Sequence, residues 1–138
     1  MKWTLKEAEP GDMIRMPIGE LYHYGIYISD NEIIQFGEPP VSFIRKDEDI
    51  EVCVTDVEGF MCGQFLEVAE FDHKEMKKKR TAEQIIATAR ARIGERGYNL
   101  LHNNCEHFAN ECVFGECKSD QSDAIRKMWR KKLNLTNK

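Results

Sequence analysis

The sequence is organised around Asn103-Asn104-Cys105-Glu106-His107-Phe108-Ala109-Asn110-Glu111, where two asparagines directly precede a cysteine and a run with helical spacing follows. Asparagine is a preferred N-cap residue, so Asn103 or Asn104 is predicted to begin a helix with Cys105 in its first turn. A thiol in that turn faces unpaired backbone N–H groups and the positive end of the helix dipole, and both favour the reactive thiolate. This stretch alone leaves two interpretations open. Cys105 is either a nucleophile or a small buried hydrophobic residue, as most free cysteines are.

Upstream, two apolar runs flank Ser29-Asp30-Asn31 and predict a β-hairpin. Asn31 suits the left-handed third position of a three-residue loop that closes on a bulge. This loop length pairs Gly25 with Gln35, and it makes His23 and Gln35 diagonal neighbours on one face of the hairpin. A two-residue loop would put them on opposite faces, because a slip of one residue inverts every side chain. Taken alone, both side chains are more simply explained as ordinary, partly buried strand residues.

Hydrophobic periodicity, turn residues and capping signals predict the remaining elements. The predicted strands are an edge strand at 13–17, the hairpin strands at 21–28 and 32–36, and two further strands at 51–57 and 65–69. A helix is predicted from Thr81 to about residue 93, with Ile85, Ile86, Ala89 and Ile93 buried. The Cys105 helix has Phe108, Ala109 and Cys112 on its buried stripe and ends at Gly115, and a last helix is predicted within 120–135. Cys53 and Cys62 have no histidine at zinc-ligand spacing, so no metal site is expected.

Composition indicates one soluble globular domain, with 41% hydrophobic and 32% charged residues. No run approaches the length needed to span a membrane, and the N-terminus lacks the apolar region of a signal peptide. Five irregularly spaced cysteines favour a reducing compartment, so a cytoplasmic location is expected. Residues 118–138 hold seven Lys or Arg and two Asp or Glu, hence +5, so the rest of the chain carries −9 of the net −4. Such an acidic body argues against nucleic acid as a partner.

Two motifs in this order, His23-Tyr24-Gly25-Ile26-Tyr27 and Asn103-Asn104-Cys105-Glu106-His107-Phe108, resemble the lecithin:retinol acyltransferase-like family, which includes small phospholipase/acyltransferases. The likeness runs from about Gly11 to about Gly115. The pair of motifs is a specific signal, whereas Asn-Cys-Glu-His-Phe alone would be much weaker. The resemblance implies an α+β fold, with a small antiparallel sheet packed against helices in a permuted papain-like (NlpC-type) arrangement and the nucleophile at a helix N-terminus. It also implies a catalytic domain at 1–117, followed by a basic C-terminal helical segment at 118–138.

The resemblance assigns the roles of nucleophile to Cys105, general base to His23 and orienting residue to Gln35. The family usually has a histidine at the third position. Glutamine can accept a hydrogen bond from the imidazole N–H, but it cannot add charge or titrate, so this departure weakens the case for full activity. The backbone N–H of Cys105 and a neighbouring donor are expected to bind the oxyanion, with Tyr27 and Asn104 as the candidate residues close to the substrate.

Two other histidines lie near Cys105 in the sequence and are alternatives to His23 as the base. His107 follows Cys105 by two positions, so on a helix it cannot face the same side. His102 lies just before the helix and is the weaker alternative to His23, because reach must be shown before a role is assigned.

Three functions remain open. The resemblance favours a thiol acyltransferase or hydrolase that acts through a Cys105 thioester on phospholipids or other acyl esters, with no cofactor and no metal. The alternatives are a cysteine peptidase or amidase of the papain-like group, and a non-enzymatic interaction module with the same His-box and Asn-Cys motifs. Family members of the phospholipase type end in a hydrophobic anchor, whereas 118–138 is basic and is expected either to make peripheral membrane contact or to form a solvated helix packed on the body.

Overall fold

The computed structural model describes residues 1–38, 50–99 and 104–115. Within those ranges an antiparallel sheet has the order β1-β6-β2-β3-β4-β5. Its strands are β1 (Lys2–Thr4), β2 (Met13–Ile18), β3 (Leu21–Ser29), β4 (Glu32–Phe36), β5 (Val52–Thr55) and β6 (Glu67–Glu70). The helices are α1 (Val57–Met61), α2 (His73–Lys78), α3 (Ala82–Ala91) and α4 (Cys105–Phe114). The predicted α+β class is therefore confirmed.

The β3–β4 hairpin has the predicted register. Gly25 pairs with Gln35, and the neighbouring pairs continue in step along both strands. His23 therefore lies on the same face as Gln35, two residues from its direct partner. This register is the feature of the fold on which the candidate site depends.

The turn of this hairpin differs from the prediction. Ser29 pairs with Glu32, so the loop has two residues, and the register shifts between Tyr27 and Ser29. That shift is a bulge, whose extra residue restores the expected pairing beyond it. Among the described residues, Asn31 is not one with positive φ, so its predicted left-handed conformation is wrong.

The predicted edge position of β2 is also wrong, because β2 lies between β6 and β3. Pro17 suggested an edge, since proline cannot donate a hydrogen bond to a neighbouring strand. However, β6 pairs with β2 only at Ile14 and Arg15. Among the described strands, the part of β2 that carries Pro17 thus pairs on one side only, which is enough to accommodate the proline.

The two faces of the sheet bury different hydrophobic clusters, because side chains alternate along each strand. One cluster joins the sheet to α3 and α4, and it includes Tyr24, Ile34, Phe36, Cys105 and Phe108. The other lies on the opposite face with α1, and it includes Ile14, Tyr27, Ile33 and Phe60. His23 alternates with Tyr24 and therefore belongs to the face covered by α1.

Helix α3 begins as predicted, with Thr81 as the N-cap of a capping box with Gln84. Ile85 and Ala89 are buried, but Ile93 is 45% exposed. The prediction for Ile93 is wrong because α3 ends at Ala91, so Ile93 leaves the helical face. The predicted roles of His102 and of the helix within 120–135 fall outside the described residues. In the described ranges, no helix combines the length and apolar character needed to cross a bilayer.

Candidate active site

His23 and Gln35 form a buried polar pair on the α1 face of the sheet. Their exposed fractions are 0% and 1%, and His23 Nε2 lies 2.9 Å from Gln35 Oε1. The diagonal contact that the sequence predicted between these two side chains is therefore present. It depends only on the hairpin register, and it positions one ring nitrogen of a histidine that has no access to solvent.

Phe60, from α1, covers the imidazole. The two ring centroids are 5.1 Å apart at an interplanar angle of 35°. Phe60 can approach because Gly25 has no side chain, and a Cβ at that position would lie 2.7 Å from the Phe60 ring. No sequence signal identified Phe60 as the residue that covers His23.

The NH₂ group of the Gln35 side chain contacts β5, on the side away from His23. Gln35 pairs with Cys53 across the β4–β5 ladder, and its Nε2 donates to Cys53 Sγ at 3.7 Å. The amide oxygen therefore faces the imidazole. Because that oxygen can only accept, His23 Nε2 must carry the proton, and Nδ1 then holds a lone pair.

His23 Nδ1 is buried and has no hydrogen-bond partner among the described residues. Burial lowers the pKa of His23 from 6.5 to about 4, and the hydrogen bond with Gln35 only partly opposes this shift. The imidazole is therefore neutral at pH 7. Buried polar atoms without a partner are rare in native proteins, and each requires an explanation.

Cys105 is the first residue of α4, as predicted. Asn104 is the N-cap, and its side-chain oxygen accepts hydrogen bonds from the backbone N–H groups of Glu106 at 3.0 Å and His107 at 3.1 Å. His107 Nδ1 in turn accepts from the backbone N–H of Asn104 at 2.9 Å, which completes the capping box. Gly115 ends the helix in a left-handed conformation, also as predicted. Asn104 and His107 thus have structural roles that position Cys105.

The Cys105 sulfur lies against the backbone of β3 on both sides of His23. It is 4.0 Å from the carbonyl oxygen of Tyr22, and it accepts a hydrogen bond from the backbone N–H of Tyr24. Cys105 reaches this position from the face that carries Tyr24, whereas the His23 ring is on the opposite face. The sulfur therefore lies against the strand that carries His23, on the side away from the imidazole, and the two groups are not hydrogen-bonded to each other.

Burial raises the pKa of Cys105 to about 12, and it outweighs the hydrogen bonds from the backbone N–H groups of Tyr24, Glu106 and Cys105 itself, which lower it. The N–H groups at the helix N-terminus favour the thiolate, as expected, but burial outweighs them and Cys105 rests as a thiol. The helix supplies the expected N–H groups, but Cys105 is only 2% exposed, and removal of water disfavours the charged form more strongly.

The two residues expected near the substrate are both engaged. The Tyr27 hydroxyl donates to Asp30 Oδ1 at 2.5 Å, near the hairpin turn. Tyr27 is four residues from His23 along the strand, a separation of about 13 Å. Asn104 is held in the N-cap described above. Among the described residues, no three His, Cys, Asp or Glu side chains are grouped so that they could hold a metal ion.

Fold and site together define a class of small α+β proteins in which a helix N-terminus presents a cysteine to the histidine-bearing strand of an antiparallel sheet. Within that class, the family model described as lecithin retinol acyltransferase matches residues 6–118, so the chain belongs to this family.

Among its relatives, human lecithin retinol acyltransferase is 30% identical over 134 residues, which cover 82% of this chain and 57% of the relative. Human phospholipase A and acyltransferase 3 is 26% identical over 129 residues, which cover 88% of this chain and 80% of the relative. The mouse protein of the same name is 29% identical over 131 residues, with 88% and 81% covered. The chain thus spans little more than half the length of the lecithin retinol acyltransferase that it matches.

Proposed function

We propose that this protein is a cysteine-dependent acyltransferase or acyl hydrolase in which Cys105 is the nucleophile, His23 is the general base and Gln35 orients the base. The observation that carries the proposal is the unpartnered Nδ1 of His23, a buried lone pair on the strand against which the Cys105 sulfur lies. A proton acceptor held neutral and without a partner is suited to receive the thiol proton.

In this proposal the resting pair is neutral. Burial sets the pKa of the thiol at about 12 and that of the imidazole at about 4, so a preformed thiolate–imidazolium pair is disfavoured. Proton transfer then accompanies attack. For the sulfur to reach Nδ1, it has to leave the Tyr22 carbonyl and α4 has to shift relative to β3, because the imidazole lies on the other face of the sheet.

The reaction has two stages. First, the sulfur attacks the carbonyl carbon of an acyl ester, a C–S bond forms, and the thiol proton passes to His23 Nδ1. The tetrahedral intermediate collapses, the C–O bond of the ester breaks, and the leaving alcohol takes the proton from His23. In the second stage water or another acceptor gives its proton to Nδ1 and attacks the thioester, so that the acyl group leaves and the thiol is restored.

The oxyanion of both intermediates is proposed to bind the backbone N–H of Cys105, at the N-terminus of α4. A donor of this kind typically contributes about 100- to 1,000-fold in rate. Tyr27 would have to release Asp30 before its hydroxyl could serve as a second donor.

For the substrate we propose a phospholipid or another acyl ester as the donor, in line with the names of the relatives. The permuted papain-like arrangement and a catalytic domain at 1–117 are part of the same proposal. Residues 118–138 are proposed to contact anionic membrane surfaces through their seven Lys or Arg. Each such charge near the surface contributes about 1 kcal/mol, so cosedimentation with anionic vesicles should weaken steeply as salt is added.

The test is intact-mass spectrometry after incubation with phosphatidylcholine, with parallel measurement of lysophospholipid and free fatty acid. Wild type should gain the mass of one acyl group on Cys105 and release lysophospholipid, and Cys105→Ala should do neither. Cys112→Ala is a matched control, because Cys112 lies in the same helix, is fully buried, and has a pKa also raised to about 12 by burial. An adduct only with a peptide ester would instead support the amidase, and no adduct with either substrate would reject the enzyme.

A further inference from the structure

Helix α2 differs from the other helices because none of its six residues is buried. Glu75 is the only acidic residue within it, and its carboxylate accepts a hydrogen bond from the backbone N–H of Asp72 at 3.0 Å in the capping box. The residues of α2 that are exposed are His73, Lys74, Met76, Lys77 and Lys78. The outward side of α2 therefore presents three lysines and contributes nothing to the core.

The segment 74–80 is a basic exception in an acidic body. It holds five Lys or Arg and one Asp or Glu, hence +4. Residues 1–73 hold five and sixteen, hence −11, and residues 81–117 hold three and five, hence −2. Arg80 is turned inward, where it donates to Thr88 Oγ1 at 2.9 Å. The outward positive charge of this segment thus comes mainly from the lysines of α2.

Within the described ranges, Lys74, Lys77 and Lys78 have no carboxylate at salt-bridge distance. Three other exposed cations do have one, in the contacts Lys6–Glu70 at 3.9 Å, Arg90–Glu32 at 2.8 Å and Arg96–Glu51 at 3.6 Å. Lys74 and Lys78 are four residues apart, so they lie on one face of the helix, where like charges repel. A negatively charged surface placed against this face would relieve that repulsion.

Met76 distinguishes between the anionic partners that such a face could bind. It lies among the lysines of α2 and is 54% exposed. At a membrane surface the lysine ammonium groups can meet lipid headgroups while an apolar side chain enters the interface. A soluble polyanion would use the charges alone. The combination of basic and apolar side chains therefore favours a lipid surface.

We propose that the outward surface of α2, formed by Lys74, Met76, Lys77 and Lys78, binds anionic phospholipid membranes. This inference deepens the proposed function, because it rests on a phospholipid as the substrate. The backbone N–H of Arg80 donates to the carbonyl oxygen of Val113 at 2.9 Å, so the end of this segment meets the last turn of α4. Cys105 is at the other end of α4, about 12 Å along the helix axis. Binding through α2 thus leaves the N-terminal end of α4 uncovered.

The first experiment is cosedimentation with vesicles of phosphatidylcholine containing about 30% phosphatidylserine. It uses the Cys105→Ala protein, so that the lipid is not consumed and binding is measured independently of catalysis. The triple variant Lys74→Gln, Lys77→Gln, Lys78→Gln should bind about 100-fold more weakly, since each lysine near the surface contributes about fivefold. Glutamine has nearly the helix propensity of lysine, so the midpoint of urea unfolding should stay unchanged.

The matched control removes the same amount of charge elsewhere, by the substitutions Lys6→Gln, Arg90→Gln and Arg96→Gln. At about 0.15 M salt, charges far from the contact are screened, so this variant should bind within about threefold of its parent. An equal loss of binding in the two triple variants would show that only the overall charge matters, and it would overturn the proposal.

The second experiment maps the contact by acetylation of lysines with and without the vesicles, read by mass spectrometry. Lys74, Lys77 and Lys78 should become protected, whereas Lys6 should not. Protection confined to the lysines of 118–138 would mean that the C-terminal segment alone binds, and it would reject the proposal.

The third experiment separates a lipid surface from an acidic protein partner. Met76→Ser should weaken vesicle binding about threefold or more, because an apolar side chain no longer enters the interface. The same substitution should leave binding to a polyglutamate peptide unchanged. Vesicle binding that does not respond to Met76→Ser, together with tighter binding to polyglutamate than to vesicles, would assign this surface to an acidic protein and refute the membrane.

Discussion

The burial of His23 predicts a specific pH dependence of stability. Burial lowers its pKa from 6.5 in the ordinary environment to about 4 in the folded protein. As the pH falls below about 6.5, the unfolded chain therefore binds a proton that the folded protein does not bind until about pH 4. The free energy of unfolding falls across that window, and above it the contribution of His23 is fully retained.

The magnitude follows from the two pKa values. Between pH 7 and pH 5 the linkage relation gives a loss of about 2 kcal/mol from His23, and the loss approaches about 3 kcal/mol below pH 4, since one pKa unit corresponds to about 1.4 kcal/mol. The other titratable groups change over the same range. The measured quantity is therefore the difference between wild type and His23→Gln, in which residue 23 does not titrate.

Urea unfolding at pH 7 and pH 5 measures this difference through the change in midpoint at constant slope. Wild type should lose about 2 kcal/mol more than His23→Gln over this interval. His73→Gln, which replaces an exposed histidine at the start of α2, is measured beside them as a control for the loss of a histidine as such. Equal pH dependence in wild type and His23→Gln would refute the reasoning, because it would mean that His23 takes up a proton in the folded protein as readily as in water.

Three further outcomes are expected. The rate of Cys105 acylation should fall on the acid side with a midpoint near pH 4, because protonated His23 cannot accept the thiol proton. A midpoint near pH 6.5 in the pH–rate profile would argue against the buried base. Gly25→Ala should cost about 1–3 kcal/mol in urea unfolding, since its Cβ would lie 2.7 Å from Phe60, and an unchanged midpoint would mean that the Phe60 ring can move away. Asn104→Ala should cost about 1–2 kcal/mol by the same assay and slow Cys105 acylation, because the N-cap is lost; full activity with full stability would exclude this capping role.

Several features of the site could be predicted from short-range sequence signals. The asparagine before Cys105 and the glycine at residue 115 bound α4, because caps depend on backbone groups a few residues away. The pairing of Gly25 with Gln35 followed from the hairpin, although the structure reaches that register through a two-residue loop and a bulge. The contact between His23 and Gln35 then follows from the alternation of side chains.

Other features depend on parts of the chain that are distant in sequence. Phe60 covers His23 only because α1 packs on that face, and Cys53 meets Gln35 only because β5 pairs with β4. Neither partner carries a motif, so the only available signals were a glycine that leaves room and a cysteine in an alternating strand.

The protonation state of Cys105 shows the same division. The position of Cys105 in the first turn of α4 is a local property, and the sequence determined it by itself. The sequence also determined the hairpin register and the family. The resting charge of Cys105 was decided by the tertiary structure, because burial between α4 and β3 removes water from the sulfur, and that loss of solvation depends on every segment packed around it. Local hydrogen bonds can be predicted from neighbours in the sequence, whereas solvation is a property of the whole folded molecule.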